Sequence, residues 1–181
     1  MTSRQIIWTT CVYAVAFIFV VYFTQAGPRR VGGALFGGGI AALLLVEIIA
    51  LGEVIGWWHW QFKFASNAWF PVLLCVCCAV SCAPVYLITW RVGRRFSWWG
   101  LMVVFGGAGL IGPLRDYLIV RHFPEWGGFA PGAAPAIAVA ITYIASLMVG
   151  HAAMQFIAGP ARNDRLARKA SHRNKRNAEE A

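Results

Sequence analysis

Only seven of the 181 residues are acidic, and several of the side chains that could do chemistry are set inside apolar sequence. Glu47 and Glu53 lie in a run that ends in EVIGWWHW, and Arg115 and Asp116 follow a proline in GPLRDYLIV. A charged group surrounded by hydrocarbon costs several kcal/mol unless it is paired, so such residues are the first place to look for binding or proton transfer. Glu53 or Asp116 has the chemistry of a general acid or base. Arg115 offers a planar, two-pronged guanidinium edge that suits a phosphate or carboxylate. His59, His122 and Glu125 stand in the adjoining loops. The candidate catalytic set is Glu53, Arg115, Asp116 and His59. The competing reading is that these groups only fix helix packing, since polar contacts also hold helices together in lipid.

The elements that must position them follow from hydropathy. The chain is 59 % hydrophobic and 13 % charged, against about a quarter charged in an average soluble domain. Five apolar runs, near 6–23, 34–57, 69–90, 98–120 and 133–158, approach or exceed the roughly 20 residues needed to cross a bilayer. The expected fold is an all-α, polytopic membrane bundle of five spans over residues 1–160. Residues 161–181 form a basic tail with no aromatic residue, too polar to bury a core and expected to be disordered or loosely helical. The segments AGPRR (26–30) and AGPAR (158–162) read as helix stops, with Gly past the last turn and Pro unable to continue.

Topology comes from the Lys and Arg residues flanking the spans. Arg4, Lys63 and Arg121 stand on one set of segments; Arg29, Arg30, Arg91, Arg94, Arg95 and the seven basic residues of the tail stand on the other. This asymmetry predicts the N-terminus outside and the C-terminus in the cytoplasm, in a bacterial inner membrane. The alternative is that residues 1–26 are a cleaved signal peptide, with Arg4 before the apolar region and Thr24-Gln25-Ala26 as the cleavage site. It would reverse every later loop against the charge count.

On this topology, rise per residue gives depth. Glu53 and Arg115 fall at similar depths near the outer surface, which predicts an ion pair between the second and fourth spans, with Asp116 sharing the arginine or facing the loops. Glu47 lies deeper and is expected to be neutral and hydrogen bonded to Thr142, Tyr143 or Ser146. Glu47 and Glu53 are six residues apart, about 240° around a helix, so they are no acid–base pair on one face. Trp57, Trp58, Trp60, Trp69 and Trp126 gather at the same interface and read as an aromatic belt, with His59 an interfacial histidine.

Cys75, Cys77, Cys78 and Cys82 crowd the third span, but their spacing is not a zinc pattern and no His or Met accompanies them there. No metal and no cofactor is expected. Gly33, Gly37, Gly52 and Gly56, and Gly106, Gly109 and Gly112, are small-residue faces through which helices approach closely. They could serve a homo-oligomer or another membrane protein. Pro84 and Pro113 fall inside spans and predict kinks. His151 is expected to be hydrogen bonded within the inner half of the bundle. The tail suits anionic lipid headgroups, and nothing supports nucleic-acid binding. Walker, Rossmann, HExxH and GxSxG patterns are all missing from the sequence.

Three functions follow. The first is a non-catalytic bundle or assembly partner. The second is a membrane enzyme acting on a lipid or isoprenoid at the outer half of the bilayer. The third is a small proton-linked transporter working through Glu47.

Overall fold

A computed structural model describes residues 3–61 and 69–159. The chain is mostly helical. In order it forms α1 (Ser3–Thr24), α2 (Pro28–Ile55), β1 (Trp58–Trp60), α3 (Phe70–His122), β2 (Gly127–Phe129) and α4 (Ala133–Ala158), with a 3-10 turn at Pro124–Trp126. The four helices among the described residues are all long and apolar enough to cross a membrane. The basic tail lies outside the described residues.

Helix ends obey local chemistry. The C-terminus of α2 is a Schellman motif: Gly56 takes a left-handed φ of 82°, its N–H reaches Glu53 O at 3.1 Å, and Trp57 N–H reaches Gly52 O at 2.9 Å. Gly159, with φ 80°, follows α4 as expected. The stop after α1 differs from expectation. The left-handed residue there is Gln25, at φ 48°, with Ala26 N–H on Val21 O at 3.2 Å. Gly27 instead precedes α2, where Pro28 fills a first-turn position whose missing N–H costs nothing.

The third helix is broken once. Ser97 has φ 55° and ψ −147°, outside the helical region. The chain doubles back there: a Cβ placed on Gly93 would meet Leu101 Cδ1 at 3.4 Å, and one on Gly100 would meet Val92 Cγ1 at 2.7 Å. Residues eight apart in a straight helix would be about 12 Å apart along its axis. Helix α3 is thus two arms, 70–96 and 98–122, that turn on one serine. The prolines do not make this break, since Pro84 and Pro113 both remain within helical backbone.

Close packing runs through glycine. A Cβ on Gly37 would lie 2.4 Å from the Gly150 carbonyl oxygen, and one on Gly38 would lie 2.3 Å from that of Ala79, so α2 meets α4 and α3 backbone to backbone. Gly150 also makes room for the ring of Tyr86, which is fully buried and whose hydroxyl donates to Ser146 O at 2.9 Å. Around Tyr86 the core comprises Ala34, Ala41, Ala83, Leu87, Leu147 and Met154.

Arginines seal one end. Arg29 Nε donates to Ile157 O at 2.7 Å and Arg91 Nη1 to Phe23 O at 3.1 Å, so two helix C-termini are capped by side chains from other elements. Arg30 covers the Trp90 ring at 4.1 Å. At the opposite end β1 and β2 pair antiparallel, with Trp58 facing Phe129, His59 facing Gly128 and Trp60 facing Gly127.

Candidate functional site

The ribbon corrects the reading of WWHW as a simple interfacial belt. Trp58 is turned inward and only 5 % exposed. Its indole occupies the gap left by Gly52, where a Cβ would lie 2.0 Å from the ring. The indole N–H donates to Ile49 O at 3.0 Å. Glu53 completes the anchorage, its Oε1 accepting the Trp60 backbone N–H at 2.9 Å. One turn of α2 therefore holds the ribbon at two points.

This placement overturns the expected Glu53–Arg115 ion pair. Glu53 is spent on the ribbon, whereas Arg115 turns to its own neighbour. Arg115 Nε and Nη2 both donate to Asp116 Oδ1, at 3.0 and 2.8 Å. Tyr143 OH accepts from Arg115 Nη2 and donates to Asp116, 3.0 Å from each carboxylate oxygen. The second arm of α3 thus supplies the ion pair, and α4 supplies the phenol that bridges it. Gly112 makes this possible, because a Cβ there would lie 2.3 Å from the Tyr143 ring.

Beside this cluster lies a cavity of about 600 Å³. Trp58, Trp60, Trp126 and Phe129 line it from the ribbon end, and Leu45, Val85, Ile111 and Leu147 are among the apolar side chains that form its walls. Arg115, Asp116 and Tyr143 present the charged and phenolic groups. Tyr13 joins from α1, and Cys78, Ser81 and Cys82 from the first arm of α3. Ser146 Oγ and the Trp126 indole N–H, both on the cavity lining, are buried without a hydrogen-bond partner among the described residues. Arg115 keeps one nitrogen in reserve: Nη1 makes no hydrogen bond among the described residues, although the other prong and Nε are engaged. A lone Nη1 cannot offer the two-pronged edge expected for a phosphate, because Asp116 already occupies that edge.

The remaining candidates stand elsewhere. His59 is exposed, with its imidazole against Gly128, where a Cβ would lie 2.5 Å from the ring, and it does not line the cavity. His122 is exposed and its Nδ1–H donates to Leu118 O at 2.8 Å. Glu125 is exposed on the 3-10 turn. Glu47 departs most from expectation. It is exposed on the outside of α2 and bonds to none of Thr142, Tyr143 and Ser146. Thr142 donates to Ala138 O at 2.7 Å, and Tyr143 belongs to the Asp116 cluster.

His151 is internal, as expected. Thr89 donates to Tyr86 O at 3.0 Å and so accepts from His151 Nδ1–H at 2.9 Å, which leaves Nε2 to accept from Gln155 at 2.7 Å. This fixes the tautomer and satisfies both nitrogens. The five cysteines are free thiols. Among the described residues no three His, Cys, Asp or Glu side chains gather as a metal site.

Tyr143 and Tyr13 are the site residues that sequence reasoning missed in this role. Depth had matched Tyr143 with Glu47 and not with Arg115, and Tyr13 had no distinguishing signal. No family model matches the chain, and no curated protein or solved structure does either.

Proposed function

We propose that this protein is a five-span integral membrane protein whose outer-half cavity receives one amphipathic lipid or isoprenoid molecule. Each arm of α3 is a separate crossing in this reading. The N-terminus is outside and the C-terminus lies in the cytoplasm of a bacterial inner membrane. The charge asymmetry supports this orientation, since Arg29, Arg30, Arg91, Arg94 and Arg95 belong to connections that meet at the end away from the ribbon.

The observation that carries the ligand reading is the cavity itself. At about 600 Å³ it is of the size that holds a single small ligand. Its walls are apolar, and a charged and phenolic cluster stands on one side. The ligand's acyl or isoprenoid body would fill the apolar part, and an acceptor on its head would take Arg115 Nη1. Ser146 Oγ, one helical turn and so about 4.5 Å from Tyr143 along α4, offers a second polar contact. Were the charged groups only packing devices, they would be expected to close on one another with no space beside them.

If a reaction occurs, Asp116 is the group placed to move a proton, oriented by Arg115 and Tyr143. A cavity reaching Glu47 would favour the transporter reading, and Glu47 is not on the lining of this one.

Mass spectrometry of lipid carried by the protein after extraction into native-lipid discs tests the proposal. One class should be enriched over the bulk membrane, and Ala108→Trp, which fills the cavity from its lining, should lose it while the protein remains folded. Carried lipid of bulk composition in both proteins would refute the reading. For orientation, a phosphatase fused at Ala181 should be inactive and a fluorescent protein there bright; the opposite pattern refutes it.

A further inference from the structure

Glu47 is not used by the cavity or by any packing contact described above. It lies in the interior of α2, eight residues before its last residue, Ile55, so about 12 Å below that end at 1.5 Å per residue. It faces outward, and no hydrogen bond or ion pair engages it among the described residues. The inference rests on the membrane reading above: in hydrocarbon an unpaired carboxylate costs several kcal/mol, so a side chain placed here calls for a polar partner. A neutral carboxyl still has an O–H to donate and a C=O that accepts. Lipid tails satisfy neither.

The surroundings of Glu47 suit another helix. Gly32, Phe36, Gly39, Leu43, Ala50 and Glu47 recur three or four residues apart on one outward face of α2. The glycine faces noted in the sequence are largely consumed inside the bundle, Gly33 and Gly37 by α4, Gly52 by Trp58, Gly109 by Ile144 and Gly112 by Tyr143, and Gly38 is taken up by Ala79. Gly32 and Gly39 are different, because a Cβ on either would meet nothing within 4 Å. They leave a shallow, lipid-facing groove that flanks the carboxyl.

We infer that the protein pairs with a second copy of itself along this face of α2, with the two Glu47 carboxyls hydrogen bonded to each other at a twofold axis. The occupant follows from chemistry and symmetry. A neutral carboxyl is its own complement, each O–H donating to the other's C=O. A twofold axis along the membrane normal keeps both copies in the same orientation and depth, so a residue at the axis meets its own counterpart.

The test is single-molecule subunit counting of the full chain in lipid vesicles over a range of protein-to-lipid ratios. Wild type should dimerise. Glu47→Leu should weaken association about tenfold, the size expected for loss of polar contacts between helices in lipid. Glu47→Gln, whose amide both donates and accepts, should keep most of it. Gly39→Leu adds bulk where the monomer has open space, and should block pairing without disturbing the fold or the lipid carried in the cavity. Three results overturn the inference: a monomer at every ratio, undiminished pairing in Glu47→Leu, or equal dissociation by Glu47→Gln and Glu47→Leu, which would mean a cationic partner. Stoichiometric capture of a different membrane protein that is lost in Glu47→Leu overturns it as well.

Discussion

Removing the Asp116 carboxylate discriminates most sharply between the arrangement expected from sequence and the one found. Asp116→Ala deletes the acceptor for Arg115 Nε, Arg115 Nη2 and the Tyr143 hydroxyl, at 3.0, 2.8 and 3.0 Å. A hydrogen bond to a charged group contributes about 1.5–3 kcal/mol. The Arg115 side chain is 53 % exposed and Asp116 only 17 %, so the arginine bonds belong at or below the low end and the whole substitution should cost about 2–3 kcal/mol. Arg115→Leu should cost less, because it leaves Asp116 with Tyr143. In the double variant the losses should fall short of additive by about 1–2 kcal/mol, the coupling expected for residues in one network. Glu53→Leu combined with Arg115→Leu should be additive to within about 0.5 kcal/mol, because the two share no partner. Reversible unfolding in mixed micelles, with retained helicity as the control, measures all of these. Additivity for Arg115 with Asp116, or coupling above about 1 kcal/mol for Glu53 with Arg115, would refute the placement of the cluster.

Three further outcomes follow from the same contacts. Trp58→Ala should cost about 3–5 kcal/mol, as for other buried aromatic truncations, while His59→Ala on the exposed side of the ribbon should stay within about 0.5 kcal/mol; thermal unfolding of the pair in lipid discs checks the contrast. Gly38→Val should prevent correct assembly, since its Cβ would lie 2.3 Å from the Ala79 carbonyl oxygen; the yield of monodisperse protein after extraction reads this, with Gly39→Val as the tolerated neighbour. Ser97→Gly should stabilise by about 1 kcal/mol, because Ser97 holds a φ of 55° that L side chains rarely adopt, and the shift in unfolding midpoint measures it.

Depth was legible in the residues, and azimuth was not. The apolar runs lie within helices, and the groups expected near the ribbon end are there, because rise per residue converts position into depth whatever the packing. Facing is another matter. In a soluble helix the apolar stripe shows which side is inward. In α2 the lipid-facing residues Leu43, Leu51 and Val54 are as apolar as the buried Ala41 and Ala42, so nothing in the pattern says that Glu47 points out. Depth alone paired Glu53 with Arg115 and Glu47 with Tyr143, and rotation about the helix axes broke both pairings. Arg115 took the neighbour one residue away instead, which required only that Gly112 admit Tyr143.

The same reasoning explains why the ribbon was hidden. Two three-residue strands separated by the whole of α3 carry almost no local signal, and WHW reads as an interfacial cluster until its partner is known. That partner is GGF, and the pairing depends on backbone shape: a Cβ on Gly127 would lie 2.4 Å from the His59 carbonyl oxygen, and one on Gly128 would strike the imidazole. With the ribbon in place, Glu53 has a structural duty at the mouth of the cavity. It accepts the Trp60 N–H while Trp58 is pinned to Ile49. Of the two carboxylates read from the sequence as general acid or base, Glu53 thus holds the ribbon, and Asp116 is the one that lines the cavity.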